Sequence, residues 1–212
     1  MNTFLFDLDG TLTDSGEGII NCVSLALARL NLPIPSREDL RVCVGPPLRD
    51  SFLRFGVKPE DVEEAIAIYR SRYVPTGMFE NTPYPGIKAL LAALKSEGHR
   101  LIVATAKPES MATAILEKFE LAPYFELICG ASMDSSRDSK DKVIAYVLEK
   151  IGTNENTIMI GDTAYDVTGA AAHGIPTIGV SWGYGAVEDM QTAGALAIVD
   201  TTSQLLNLLL TQ

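Results

Sequence analysis

The 212-residue sequence predicts an α/β fold: a doubly wound parallel sheet carrying a second, smaller all-helical domain. Three observations predict it. Six short runs rich in β-branched and aromatic residues recur (TFLFDL, RLIVAT, FELICG, TIMIGD, PTIGVS and LAIVD), and most are continuously apolar rather than alternating. Strands buried on both faces read that way. The segments between the later runs carry helical spacing, which puts helices on both sides of the sheet. Finally, the first run is separated from the second by roughly ninety residues, far more than an ordinary crossover uses.

In chain order, TFLFDL at 3–8 leads straight into the acidic turn DGT. Residues 16–73 hold no convincing strand; GIINCVSLALARL and PEDVEEAIAIYRSRY have helical patterns, broken by Pro33, Pro35, Pro46 and Pro47. This predicts a helical domain over 16–81 with linkers near Ser15 and 81–83, and a discontinuous core made of 1–15 and 82–212. PGIKALLAALKSEG then reads as a helix opening at Pro85 and ending at Gly98. In SKDKVIAYVLEKIG, Ser139 is the expected N-cap, Val143, Val147 and Leu148 share a face, and Gly152 closes the helix.

Composition narrows the function. With 17 Lys and Arg against 27 Asp and Glu, the net charge of −10 sets up a field that repels nucleic-acid backbones. No apolar stretch approaches membrane-spanning length, and MNTFLFDLDG meets an acid too early for a signal peptide. We expect a cytoplasmic protein with no nucleic-acid or membrane partner. Cys22, Cys43 and Cys129 are odd in number, lack metal-ligand spacing and lie among apolar residues, as reduced core thiols do.

The chemistry concentrates at the carboxyl ends of the expected strands. FDLDGTLTD places Asp7 and Asp9 at the end of the first strand, and IMIGDTAYDV places Asp162 at the end of the fourth, with Asp166 four residues on. Alone, Asp162 reads equally well as a helix N-cap. Together, four carboxylates at the carboxyl ends of two strands need a cation, and a hard, oxygen-liganded ion such as Mg²⁺ is the natural one. Thr105 ends the second strand, followed by Ala106 and Lys107, and Lys140 opens a later helix. A hydroxyl and an ammonium at that edge, where open α/β sheets bind ligands, suit a phosphate. His99 and His173 sit beside helix-ending glycines and read as structural; Trp182 reads as a packing residue.

In these motifs the sequence resembles the haloacid dehalogenase-like superfamily of phosphohydrolases. DLDGT matches its first motif, Thr105 its second, Lys140 its third and GDTAYD its fourth, in order and across the chain. The helical insertion resembles the type-one cap, and the detail resembles phosphoglycolate phosphatase-like members. One departure stands out: DSKDK lacks the usual Lys-Pro context, which leaves Lys142 as an alternative to Lys140. The resemblance implies a phosphatase for a small phosphorylated metabolite, with Asp7 as nucleophile and Asp9 as acid and base. It also implies Mg²⁺ on Asp7, Asp9 and Asp162, phosphate on Thr105 and Lys140, and Asp166 holding a metal-bound water or Lys140. Arg49, in VGPPLRDSF, resembles a substrate-facing cap residue; a surface arginine is the alternative. Asp9 argues against haloacid dehalogenation, which lacks this second acid. A phosphomutase of the β-phosphoglucomutase kind, a nucleotidase or a non-enzymatic receiver-like domain would use similar groups, though a receiver needs no such insertion. A monomer and a homodimer fit the sequence equally.

Overall fold

In the computed structural model, which describes residues 1–134, 136–152 and 155–211, the chain enters through strand β1 (Thr3–Phe6). A two-residue strand β2 (Thr13–Asp14) then leads into helices α1 (Gly16–Arg29), α2 (Leu48–Arg54) and α3 (Val62–Tyr73), and β3 (Thr82–Pro83) leads out of them. The remainder is α4 (Ile87–Ser96), β4 (Arg100–Pro108), α5 (Glu109–Lys118), β5 (Leu127–Ala131), α6 (Lys140–Ile151), β6 (Thr157–Gly161), α7 (Ala164–Ala171), β7 (Thr177–Val180), α8 (Val187–Thr192), β8 (Ala197–Val199) and α9 (Thr202–Leu210).

Six strands form one parallel sheet in the order β5-β4-β1-β6-β7-β8. All six apolar runs form these strands, and their continuity has a direct cause. Phe4, Phe6, Leu101, Val103, Ile158 and Ile160 face one side, where they pack with α4, α5 and α9; Leu5, Ile102, Ala104 and Met159 face the other, with Val143, Ile144 and Val147 of α6. Side chains of successive strand residues point to opposite faces, and here both faces are covered. The chain builds outward from β1 to β4 and β5, then returns to the far side of β1 with β6, so the order reverses beside β1. That is where open sheets of this kind form a ligand crevice.

Ser139 and Gly152 flank α6 as expected, Gly152 in the left-handed region at φ 76°. The α4 helix starts at Ile87, two residues after Pro85, because Gly86 precedes it in the left-handed region. Between Asp14 and Thr82 the chain contains no strand. Its two ends run side by side instead: Thr13 pairs with Pro83 and Asp14 with Thr82, antiparallel. The helical insert thus leaves and rejoins the core through one narrow ribbon. Inside it, α1 packs Ile19, Cys22, Val23 and Ala26 in the same apolar cluster as Val62, Ala65, Tyr69 and Tyr73 of α3. All three cysteines are buried and unbridged.

The insert also contains a close backbone approach. A Cβ on Gly18 of α1 would lie 1.8 Å from the Gly77 carbonyl oxygen. Helix propensity alone would make Gly18→Ala stabilising by about 1 kcal/mol. We expect the opposite sign, a loss of about 1–3 kcal/mol in urea or thermal unfolding, because backbone has to move to admit the methyl group. An unchanged or raised melting temperature would show that α1 and the 77–79 turn separate without cost.

Candidate active site

The acidic turn after β1 is built by the backbone. The Asp7 amide donates to the Ile160 carbonyl at 3.0 Å, carrying the β1–β6 pairing one residue past the strand. The Leu8 carbonyl then accepts from Leu12 and Thr13 at 2.9 and 3.0 Å, so the chain reverses within five residues. Gly10 makes the reversal with φ +82°, and a Cβ there would lie 2.1 Å from Asp162 Oδ2. Conformation and space both demand glycine at this position.

Asp162 leaves the end of β6 and is fully enclosed. Thr11 Oγ1 donates to its Oδ1 at 3.1 Å and the Tyr184 amide to its Oδ2 at 2.9 Å. It is not the N-cap of α7: Thr163 is, in a capping box where Asp166 Oδ2 accepts from the Thr163 amide at 3.0 Å and its hydroxyl at 2.8 Å. The helix therefore does not consume Asp162, whose carboxylate meets Asp7 and Asp166 instead. One oxygen from each of the three lies within 4.8 Å of the others.

Lys140, the first residue of α6, enters this cluster buried. Its ammonium lies 2.8 Å from Asp7 Oδ1 and 2.8 Å from Asp166 Oδ1, and it donates to the Ala104 carbonyl at 3.0 Å. Burial would lower its pKa, but Asp166 and Asp7 outweigh that and hold it above the ordinary lysine value. Burial raises Asp162 well above the usual carboxylate range, with Asp166 and Asp7 adding repulsion; Asp166 is raised by burial too, against the pull of Lys140. Lys142, the alternative, lies outside the cluster, exposed and 2.8 Å from Asp138.

Asp9 stands apart from the other acids. Its Oδ2 lies 2.9 Å from the ammonium of Lys107, so the carboxylate is drawn toward the insert and is not a member of the Asp7–Asp162–Asp166 group. Of the four carboxylates grouped from the sequence, the side chains of Asp7, Asp162 and Asp166 come together, and that of Asp9 pairs with Lys107. Thr105 is buried in β4, at the last residue before its pairing with β5 becomes irregular, its hydroxyl accepting from the Lys107 amide at 3.2 Å. Arg49 of α2 is half exposed, with Nη1 3.6 Å from Glu63 Oε1 of α3.

Between insert and core lies a cavity of about 660 Å³, lined among others by Asp9, Lys107, Arg49, Arg70, Tyr69 and Met111. Two residues near the acids went unrecognised in the sequence: Tyr73 of α3, which lines this cavity and whose hydroxyl accepts a hydrogen bond from Lys107, and Tyr184, beside Asp162, whose hydroxyl donates to Asp14. The glycines flanking Tyr184 in WGYG were the available signal; Tyr73 had none, because its helical spacing reads as core. His99 accepts from the Asn2 amide at 3.2 Å, and Trp182 donates from Nε1 to the Thr11 carbonyl at 3.1 Å; both are structural.

The donor set tests whether a metal fits. Three buried carboxylates against one ammonium leave an uncompensated negative charge, and oxygen ligands alone suit a hard divalent cation such as Mg²⁺. The residues fit.

A doubly wound sheet with such a site at its carboxyl edge, roofed by a helical insert, defines the class of phosphoryl-handling enzymes that use carboxylates. The family profile of haloacid dehalogenase-like hydrolases matches residues 4–180, and the chain belongs to that family. It is 45% identical over 182 residues to the tyrosine-protein kinase PtkA of Mycobacterium tuberculosis, covering 85% of this chain and 62% of that protein. It thus spans less than two thirds of that relative. A 5'-nucleotidase of Pseudomonas aeruginosa is 40% identical over 189 residues (88% of this chain, 86% of the relative). A phosphoglycolate phosphatase of Caulobacter vibrioides is 32% identical over 205 residues (93% and 86%). The crystal structure of a predicted phosphatase from Clostridium acetobutylicum superposes with a TM-score of 0.96 at 43% identity, covering 100% of this chain and 99% of that one.

Lys140 is the counter-charge that lets the acids coexist. In metal-free buffer, Lys140→Met is expected to cost about 3–5 kcal/mol in urea unfolding, because it strands buried carboxylates. Adding Asp166→Asn should recover part of the loss. A single variant as stable as the parent would show that the cluster is already neutral without Lys140.

Proposed function

We propose that the chain is a Mg²⁺-dependent phosphatase that hydrolyses small phosphate monoesters through an aspartyl-phosphate on Asp7. The observation that carries this reading is the buried group of Asp7, Asp162, Asp166 and Lys140 at the sheet's carboxyl edge, on the same acidic turn as Asp9, which lines a cavity of about 660 Å³. Bound there, Mg²⁺ would screen the phosphate from the carboxylates and polarise its oxygens.

Asp7 attacks phosphorus; the bond to the leaving oxygen breaks, and Asp9 gives that oxygen a proton. In the second half, water attacks the phosphorus of the acyl phosphate while Asp9, now a carboxylate, takes a proton from it. Asp7 and inorganic phosphate are released. Lys140 and the Thr105 hydroxyl balance charge on the phosphoryl oxygens. Asp162 would hold the metal from a rigid strand end, and Asp166 keeps Lys140 in place. The insert, residues 16–81, acts as a cap over the site, and Arg49 meets the non-transferred end of an anionic substrate.

Phosphoglycolate-like metabolites are one substrate class. The cavity volume favours testing nucleoside monophosphates beside them, because it admits a leaving group well beyond two carbons. Buried, unbridged thiols support a cytoplasmic setting.

Purified protein is to be assayed for phosphate release from p-nitrophenyl phosphate and a panel of phosphorylated metabolites. We expect multiple turnovers with Mg²⁺, loss of activity in chelator, and a fall of about 10⁴-fold or more in Asp7→Asn. Undiminished turnover in that variant, or after thorough metal removal, would overturn the reading. Arg49→Ala should lower kcat/KM for anionic metabolites by about 10-fold or more, and far less for p-nitrophenyl phosphate. Equal losses on both would place Arg49 in support of the fold instead.

A further inference from the structure

The chemistry proposed above uses Asp9 but leaves unexplained the two groups packed on it. Lys107 sits where β4 departs from regular pairing: its partners in β5 follow in step up to Thr105 and Gly130, and then Pro108 pairs with Ala131. Across this irregularity Lys107 is carried over the acidic turn. Its ammonium is buried, 2.9 Å from Asp9 Oδ2, donates to the Tyr73 hydroxyl, and lies 4.7 Å from the centre of the Tyr73 ring. Burial would deprotonate it, yet Asp9 and Tyr73 more than offset that, so it stays charged.

Tyr73 belongs to the last turn of α3 in the insert, 34 residues from Lys107. It is itself fixed, buried and stacked on Tyr69 at 4.9 Å between ring centres. The other Asp9 oxygen, Oδ1, is buried with no hydrogen-bond partner among the described residues. An isolated buried carboxylate oxygen is costly unless something uses it. Asp9 lines the cavity, where a leaving group would be.

We infer that Lys107 is a positioning residue for Asp9: it clamps Oδ2 and so leaves Oδ1 for the proton transferred to and from substrate, while Tyr73 makes that clamp depend on where the helical insert sits. This rests on the reading of Asp9 as acid and base given above. A carboxylate with both oxygens free can rotate away from the leaving group, and proton transfer depends on a placement good to a few tenths of an ångström. With the insert displaced, Lys107 loses its hydroxyl partner and the acid loses its fixed orientation. The acid is therefore set for transfer when the insert covers the site.

The test is a double-mutant cycle on kcat, using an alkyl phosphate from the active panel and p-nitrophenyl phosphate, with the fraction folded checked by circular dichroism. Asp9→Asn is expected to lower kcat on the alkyl ester by about 10²-fold or more. Lys107→Met should lower it by about 10-fold or more with little change in KM, and less on p-nitrophenyl phosphate, whose leaving group needs little protonation. If Lys107 acts through Asp9, the double variant is no slower than Asp9→Asn alone. Losses that multiply overturn the inference and leave Asp9's role intact. An Asp9→Asn enzyme as fast as the parent removes both that role and the inference. Should Lys107→Met not fold, Tyr73→Phe keeps the ring and deletes only the hydroxyl. It should slow kcat several-fold in the parent and not at all in the Asp9→Asn background, and a loss that persists there overturns the inference as well.

Discussion

Like charge held close together out of water is the constraint on which the rest of this structure depends. Asp7, Asp162 and Asp166 bring carboxylate oxygens within 4.8 Å of one another, all buried, with a single ammonium among them. Left to itself such a group would swell or protonate, and the raised pKa of Asp162 is that tension expressed as chemistry. What holds it is covalent and backbone geometry. Asp7 is pinned by the extension of the β1–β6 ladder, Asp162 by the Thr11 hydroxyl and the Tyr184 amide, and Asp166 by the capping box that starts α7. Each carboxylate is thus oriented by a different element, and all of those elements meet where the strand order reverses.

The same edge explains the shape of the chain around it. The loop after β7 reaches the acids with the Tyr184 amide and the ribbon with the Tyr184 hydroxyl, which donates to Asp14 and accepts from the Gly16 amide at 2.8 Å. The β2–β3 ribbon is the insert's covalent tie to the core, and Lys107 with Tyr73 forms a polar contact between the two. One residue therefore touches both the acid cluster and the ribbon, and another pair joins the insert to the second acid. The insert is joined to the core by the backbone of the ribbon, by apolar residues that share one cluster with the sheet, and by polar side chains. Such polar contacts are readily remade, whereas the apolar strands of the sheet are not.

Much of this was legible in the sequence, for physical reasons particular to each part. The sheet could be read because both faces are covered, which makes the strand runs continuously apolar. Lys140 could be read despite its DSKDK context because it opens a helix after an expected N-cap, at the edge where ligands bind. Asp162 could not be separated from an N-cap role by its position alone; the decision lay in Thr163, one residue on, which takes that role. That the Asp9 side chain pairs with Lys107 could not be read, because spacing along a turn says nothing of a cation arriving from another strand. Tyr73 was hidden altogether: a tyrosine at helical spacing among apolar neighbours looks like core, and it is core, except for one oxygen atom.

An acidic chain of net charge −10 that handles anions must gather its positive charge locally. Lys140 and Lys107 do so while buried, and each is already matched to a carboxylate, so neither presents an unpaired charge to an arriving phosphate. The field at the site is set by the pairing and by whatever cation the remaining carboxylates hold. On the proposed reading a cation and a phosphate would reinforce one another: without the first, the second would meet net negative charge; with it, the phosphate would complete a balanced set. On that reading affinity for an anion is a property of the assembled site rather than of the surface, so an acidic overall charge, which repels extended phosphate backbones, says nothing against a small phosphate ester.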